Sequence, residues 1–323
     1  MLSDRANAIC LLDILQEYSD EQHILPMREI ISKMNTVYSL TLERRTVYNA
    51  IALLVELGYD ISLYEDNGVG YYLKHRALEP SEVTLLTSAV HSFAFIPAKQ
   101  SEDLIAKLQR NLSIHQRKQY RHLKLVRPEH KTDNRQVFWN IELLDQAISS
   151  KRQIRFTYLQ YGMDKKLHPR RPEPYIVDPY STAYMHEHYY LICGVEGSPD
   201  SRTFRVDRMS DICLLDTPRS SSPASRSEVD DAIYAFTGKP ERIVMHCDKA
   251  ILNNVLDKFG TGIQIRDRDE DTFTASFTIP PAGVKFWALQ FLPYVEVTEP
   301  RWLRSEIIES LHRNPYTSAE HPL

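Results

Sequence analysis

The sequence lacks any apolar run of about 18 residues, the length a membrane-spanning helix needs, so it offers no membrane partner. It lacks a signal-peptide layout too: the opening stretch MLSDRANAICLLDILQEYSD sets acids inside its apolar pattern. Only four cysteines occur in 323 residues (Cys10, Cys193, Cys213 and Cys247), in no metal-ligand or redox spacing and each in an apolar run. Buried free thiols in a reducing cytoplasm are therefore expected. There is no HExxH helix and no internal repeat. No resident metal and no cofactor are expected.

What is present suits ordinary cores: apolar residues make up 42%, and the length allows two or three domains of about 100 to 150 residues. The net charge of −4 is unevenly spread. Residues 1–98 hold 7 Lys and Arg against 13 Asp and Glu, residues 99–227 hold 22 against 15, and residues 228–323 hold 10 against 15. A basic middle between acidic ends favours an anionic partner for the middle, against the plainer alternative of a solvated basic face.

Ala8, Leu11, Leu12 and Leu15 fall at helical spacing in the first segment. Pro26 opens a short helix, MREIISKM, followed by a polar stretch. A third helix, LERRTVYNAIALLVELGYD, shows Val47, Ile51, Leu54 and Leu57 on one face and stops at Gly58. DISLYEDNGVGYYLKHR then reads as two strands joined by a turn of Asn-Gly chemistry. Three helices and a two-stranded wing outline a winged helix-turn-helix. Its recognition helix would present Arg44, Arg45, Thr46, Tyr48 and Asn49 to DNA. Two helical segments follow, PSEVTLLTSAVHSF and SEDLIAKLQRNL, neither with a full capping box. The stretch IHQRKQYRHLKLVRPEHK is basic with interleaved aromatics and reads as a DNA-facing arm or a solvated linker.

From about residue 134 comes a helix, QVFWNIELLDQAISSKR, and then five or so short strands. The first alternates Ile154, Phe156 and Tyr158. So many strands in about 65 residues argue for a small closed or nearly closed β-barrel. A linker, TPRSSSPASRSE, leads to a β-α-β-β-α-β order plus a last helix, that of a ferredoxin-like split βαβ unit.

Two constellations in the barrel carry chemistry. His186, Glu187 and His188 stand as a metal pair without a third ligand, or as a hairpin tip. Tyr189 and Tyr190 point to opposite faces of their strand, so one of them belongs to the core. Downstream, TFRVDRMSD places Arg205 and Arg208 around Asp207. Burying both Val206 and Met209 would require a β-bulge near Asp207. Tyr180, Tyr190, Arg205 and Arg208 could line an anion-plus-aromatic pocket, since arginine donates two parallel hydrogen bonds to a phosphate or carboxylate. The alternative is a structural ion pair of Asp207 with arginine.

Taken in order, ERRTVYNAI, HYYLICG, TFRVDRMSD and FWALQFLPYVEVTEPRWLR resemble the bacterial WYL-domain transcriptional regulators over nearly the whole chain. The resemblance implies an α+β multidomain fold. Residues 1–76 would be a winged helix-turn-helix, 77–133 a helical linker, 134–217 a WYL domain of Sm-like (SH3-like) barrel fold, 218–234 a linker, and 235–323 a ferredoxin-like extension termed WCX. It implies a cytoplasmic homodimer that binds a double-stranded DNA operator and is not an enzyme. It also implies a pocket sensing an anionic ligand, a nucleotide or single-stranded nucleic acid, through Tyr190, Arg205 and Arg208, with Ser181, His168 and Tyr180 as further candidates. Two positions depart from the family's pattern. Tyr189 stands where the name-giving tryptophan is expected, and Tyr48 is followed by Asn49 and Ala50 instead of Arg-Asp. Two other classes compete: a metal-dependent nucleic-acid or nucleotide hydrolase using His186 and His188, and a non-sequence-specific nucleic-acid-binding adaptor.

Overall fold

The apolar spacing of the first 75 residues becomes three helices around one core. The computed structural model describes residues 4–119, 131–185, 187–195, 201–220 and 239–314. The chain divides into two units, residues 1–135 and 136–323.

In the first unit, α1 (Asp4–Tyr18), α2 (Met27–Tyr38) and α3 (Arg44–Glu56) enclose Leu11, Ile14, Leu15, Ile30, Met34, Val47, Ile51 and Leu54. Each such side chain contributes roughly 1.5–3 kcal/mol on burial. Helix α2 runs four residues past its expected end, and Ser39 closes it in a left-handed conformation. Leu57 is exposed, against the expected buried face, because α3 stops one residue before it. Strands β1 (Ile61–Ser62) and β2 (Tyr72–Leu73) pair antiparallel. Their connection holds a helical turn, α4 (Tyr64–Asn67), closed by Gly68 at positive φ, where the Asn-Gly turn was expected. Leu25 and Tyr71 exchange backbone hydrogen bonds of 2.9 Å, adding a third extended segment beside β2. Gly70 is required there, since a Cβ would collide with the Leu25 carbonyl.

Helices α5 (Pro80–Ser92), α6 (Ala98–Gln109) and α7 (Ile114–Gln119) complete the unit. The expectation of no capping box fails at α5: the cap is Glu79, not Ser81, and its amide donates to Glu82 at 2.8 Å. At α6 the helix likewise begins before its serine, and Ser101 is buried inside it. The end of α1 is tied to α7 through Asp20, which accepts from Ser113 (2.5 Å) and pairs with His23 Nδ1 (2.8 Å). Most of the basic stretch after α7, residues 120–130, lies outside the described residues.

In the second unit, α8 (Val137–Ser150) packs on a curled sheet. Its strands are β3 (Arg152–Tyr161), β4 (Leu167–Pro169), β5 (Tyr175–Met185), β6 (His188–Val195), β7 (Arg202–Arg205) and β8 (Met209–Pro218). The order is β4-β3-β5-β6-β7, and β3 pairs in addition with β8. The core joins Ile154, Phe156, Tyr175, Val177, Leu191, Phe204, Val206 and Met209. Phe156, Tyr175 and Phe204 lie 5.1–5.5 Å apart between centroids, the spacing at which aromatic pairs add to simple burial. The expected bulge at Asp207 is absent. A 3-10 turn, Val206–Arg208, shortens the rise per residue and buries both Val206 and Met209.

Residues 221–238, which hold most of the expected linker, lie outside the described residues. Beyond them β9 (Glu241–Asp248), α9 (Leu252–Phe259), β10 (Gln264–Asp267), β11 (Thr272–Ile279), α10 (Ala282–Gln290), β12 (Val295–Glu299) and α11 (Arg301–His312) follow the expected order. The sheet runs β10-β11-β9-β12 with every pair antiparallel, over a core that includes Phe273, Trp287 and Leu303. Cys193 and Cys247 are buried as expected, but Cys213 is exposed and Cys10 only half-buried. Among the described residues no helix is long and apolar enough to cross a membrane.

Phe156→Ala would empty the centre of the aromatic cluster at a cost of about 3–5 kcal/mol. Urea unfolding followed by near-ultraviolet circular dichroism should show the second unit's transition at lower denaturant, and an unmoved midpoint would contradict this packing.

Candidate functional site

Strand register builds a polar surface opposite the aromatic core. Leu191 pairs with Phe204 and points inward; its neighbour Tyr190 pairs with Arg205, so these two share the outer face. Two residues earlier on that face is His188, whose ring meets Tyr190 edge-on at 6.4 Å. The 3-10 turn then supplies Asp207 and Arg208. Tyr158 bridges the two faces: its ring lies 5.0 Å from Phe204, and its hydroxyl accepts from the Arg205 amide at 3.3 Å.

The two arginines are held differently. Arg205 donates from Nε (3.1 Å) and Nη2 (2.7 Å) to the carboxylate of Asp207, which is buried. Burial alone would lower the Arg205 guanidinium, but these hydrogen bonds and the Asp207 charge more than offset it, and its pKa is raised. Arg208 has its guanidinium 5.6 Å from the Tyr161 ring centroid, within cation–π range. Its Nε is buried with no hydrogen-bond partner among the described residues. Burial also raises the Tyr190 hydroxyl, against the opposing pull of Arg205 and Arg208. A buried N–H left without a partner costs about 1–3 kcal/mol, so this is a place where an added acceptor would be favourable.

Of the residues expected to bind a ligand, Tyr190, Arg205 and Arg208 come together here. Ser181 is on the same face one row along, paired with Ile192. Tyr180 falls at the register shift between Pro179 and Ser181, under the Arg219 guanidinium at 5.4 Å. His168 belongs to the β3–β4 hairpin, where Nε2 lies 2.8 Å from Asp164. Of the two tyrosines, Tyr189 is the one packed against the core. His188, Tyr158 and Tyr161 lie beside these residues and are not singled out with them by the sequence. The alternation of Tyr190 with His188 was the available signal for the first.

His186 lies outside the described residues. Glu187 adopts φ 64° between Met185 and His188, which pair across the hairpin. His188 faces the charges of Arg205 and Arg208, and two guanidiniums oppose a bound metal cation. No group of three or more possible metal ligands occurs among the described residues.

In the first unit, Arg44 and Arg45 open α3, and with Tyr48 and Asn49 they are exposed, while Thr46 is half-buried. Tyr48 rests edge-on against Tyr71 at 6.5 Å. Burial and the Tyr48 hydrogen bond push the Tyr71 hydroxyl up to about 12. Tyr48 is therefore braced by the residue that bridges to Leu25, and no acidic side chain stands in the first turn of α3.

Arg205→Ala and Arg208→Ala should separate two roles. The first removes both guanidinium hydrogen bonds from a buried carboxylate and should lower the melting temperature by several degrees. The second removes no hydrogen bond and should leave it nearly unchanged. Equal losses by scanning calorimetry would contradict the different fastening of the two arginines.

Residues 140–214 match the WYL domain and residues 239–313 the WCX domain. No curated protein matches the chain. Among solved structures, proteasome accessory factor B/C (PafBC) of Arthrobacter aurescens is 16% identical with a TM-score of 0.26, covering 98% of this chain and 49% of its own. The chain thus spans about half the length of PafBC. A CRISPR Cas-related protein is 11% identical with a TM-score of 0.33, covering 97% of this chain and 86% of its own. Likeness at these scores carries no functional conclusion. On these matches the chain carries a WYL domain over residues 140–214 and a WCX domain over residues 239–313.

Proposed function

We propose that the protein is a ligand-responsive, DNA-binding transcription regulator of the cytoplasm and not an enzyme. The first unit acts as a winged helix-turn-helix, with α3 entering the major groove and the β1–β2 hairpin as the wing. The WYL domain is an Sm-like barrel that senses an anionic ligand, and the WCX domain is a ferredoxin-like module. The observation that carries this reading is a matched WYL domain preceded in the same chain by three helices and a hairpin, with Arg44, Arg45, Tyr48 and Asn49 exposed at the start of the third helix. Arginine and asparagine at that position have the donors that base edges and phosphates accept.

Two copies would read a pseudo-palindromic operator with half-sites about one DNA turn, or a multiple of it, apart. The ligand would act through unequal affinity for the DNA-competent and DNA-incompetent states. Its pocket is Tyr190, Arg205 and Arg208, with Ser181 at the margin. Arg208 is the principal anion contact because Asp207 already balances the charge of Arg205 through its Nε and Nη2. A nucleotide or single-stranded nucleic acid fits this chemistry, since a base can stack on tyrosine while phosphate meets guanidinium.

Arg44→Ala with Arg45→Ala should weaken operator binding and lower the slope of log affinity against log salt by about two, one unit per lost phosphate contact. Fluorescence anisotropy across a salt series checks both; unchanged affinity and slope would remove α3 as the recognition helix.

A further inference from the structure

The charges of the anion pocket do not add up to two available cations. Asp207 accepts from Nε and Nη2 of Arg205 and is itself buried, so the charge of that pair is already balanced. Among the described residues of this face, Arg208 is the other fixed positive charge. Among the described residues the outer face holds one more group that can become a cation, His188, and its Nδ1 is buried without a hydrogen-bond partner among them. Among the described residues, Arg208 Nε and His188 Nδ1 are thus two unmatched buried polar atoms, and the His188 ring meets Tyr190 edge-on.

We infer that His188 is a specificity-determining residue of this pocket: it meets the ligand's buried end, takes up one proton from solvent as the anion binds, and thereby favours a terminal phosphate monoester over a backbone phosphodiester. This rests on the anion-pocket reading above. A diester carries one negative charge, which Arg208 alone balances. A monoester carries nearly two at neutral pH, and the second is balanced only when His188 becomes imidazolium.

The surroundings set the direction. Before binding, burial, then Arg205 on β7 and Arg208 on the turn, hold the His188 pKa below the ordinary histidine range; Asp207 and Glu187 oppose them but do not prevail. Tyr190 on the same strand is held in its neutral form by burial, and Tyr158 of β3 is engaged with the Arg205 amide. The free site therefore keeps His188 neutral near pH 7, and a bound dianion reverses the sign of the field. Binding is then linked to proton uptake, and affinity for a monoester rises as pH falls towards the ordinary histidine value of about 6.5.

The test is calorimetric titration of the full chain with the thymidine dinucleotide and with its 5′-phosphorylated form, at about pH 7.5 where the terminal phosphate is already a dianion. Phosphate-free buffers of different ionisation enthalpy give the proton count. The expected result is preference for the phosphorylated probe on the order of tenfold, the scale of one charge-assisted hydrogen bond, with proton uptake on binding. His188→Gln should abolish the uptake and shrink the preference, and Arg208→Ala should weaken both probes. Equal affinity for the two probes without proton uptake overturns the role of His188 while leaving the anion pocket standing. Binding of neither probe, by the unaltered chain or by Arg208→Ala, removes the pocket and this inference with it. If His188→Gln does not fold, the proton count and the pH dependence measured on the unaltered chain decide the matter.

Discussion

The site depends on three residues that refuse to continue a strand. Between β7 and β8 the chain must bury Val206 and Met209, which an extended backbone would place on opposite faces. The 3-10 turn Val206–Arg208 reconciles them. In doing so it turns the Asp207 carboxylate back onto the Arg205 guanidinium and carries Arg208 over Tyr161. Apolar burial of two side chains, worth roughly 1.5–3 kcal/mol each, thus fixes the position of three charged ones. The polar surface is a consequence of how the core closes the curl of the sheet.

This explains what was legible in the sequence. Alternation alone showed that Val206 and Met209 could not both be buried in a regular strand. It did not reveal the remedy, because a bulge and a 3-10 turn satisfy the same burial pattern. Arg205 and Arg208 were readable as a pair, but their inequality was not: which arginine Asp207 holds depends on side-chain reach across the turn. The share of Tyr158 in both core and site was hidden for a similar reason, since alternation assigns it a face but says nothing of its hydroxyl meeting the Arg205 amide. In the first unit the periodic helices were plain. Their ends were less so: Leu57 looked apolar and periodic, yet Gly58 lets the backbone leave the helix before that side chain can be buried.

The two departures from the family pattern have physical sense. Tyr189 in place of tryptophan keeps an aromatic against the core while its hydroxyl meets the Thr182 hydroxyl at 3.2 Å. Asn49 keeps a short polar side chain at the exposed start of α3, with Arg44 and Arg45 supplying the positive charge one turn earlier. That local charge stands in a segment rich in acids, so long-range attraction of a polyanion to this segment is weak.

The central claim is that the first unit reads a specific DNA sequence. Its most direct test is selection of genomic DNA fragments by the purified full chain at near-physiological salt. The account predicts enrichment of a short pseudo-palindrome with half-sites separated by about one helical turn, or a multiple of it. Retention of DNA without sequence preference, lost as salt rises, would contradict it and favour a non-specific nucleic-acid-binding adaptor.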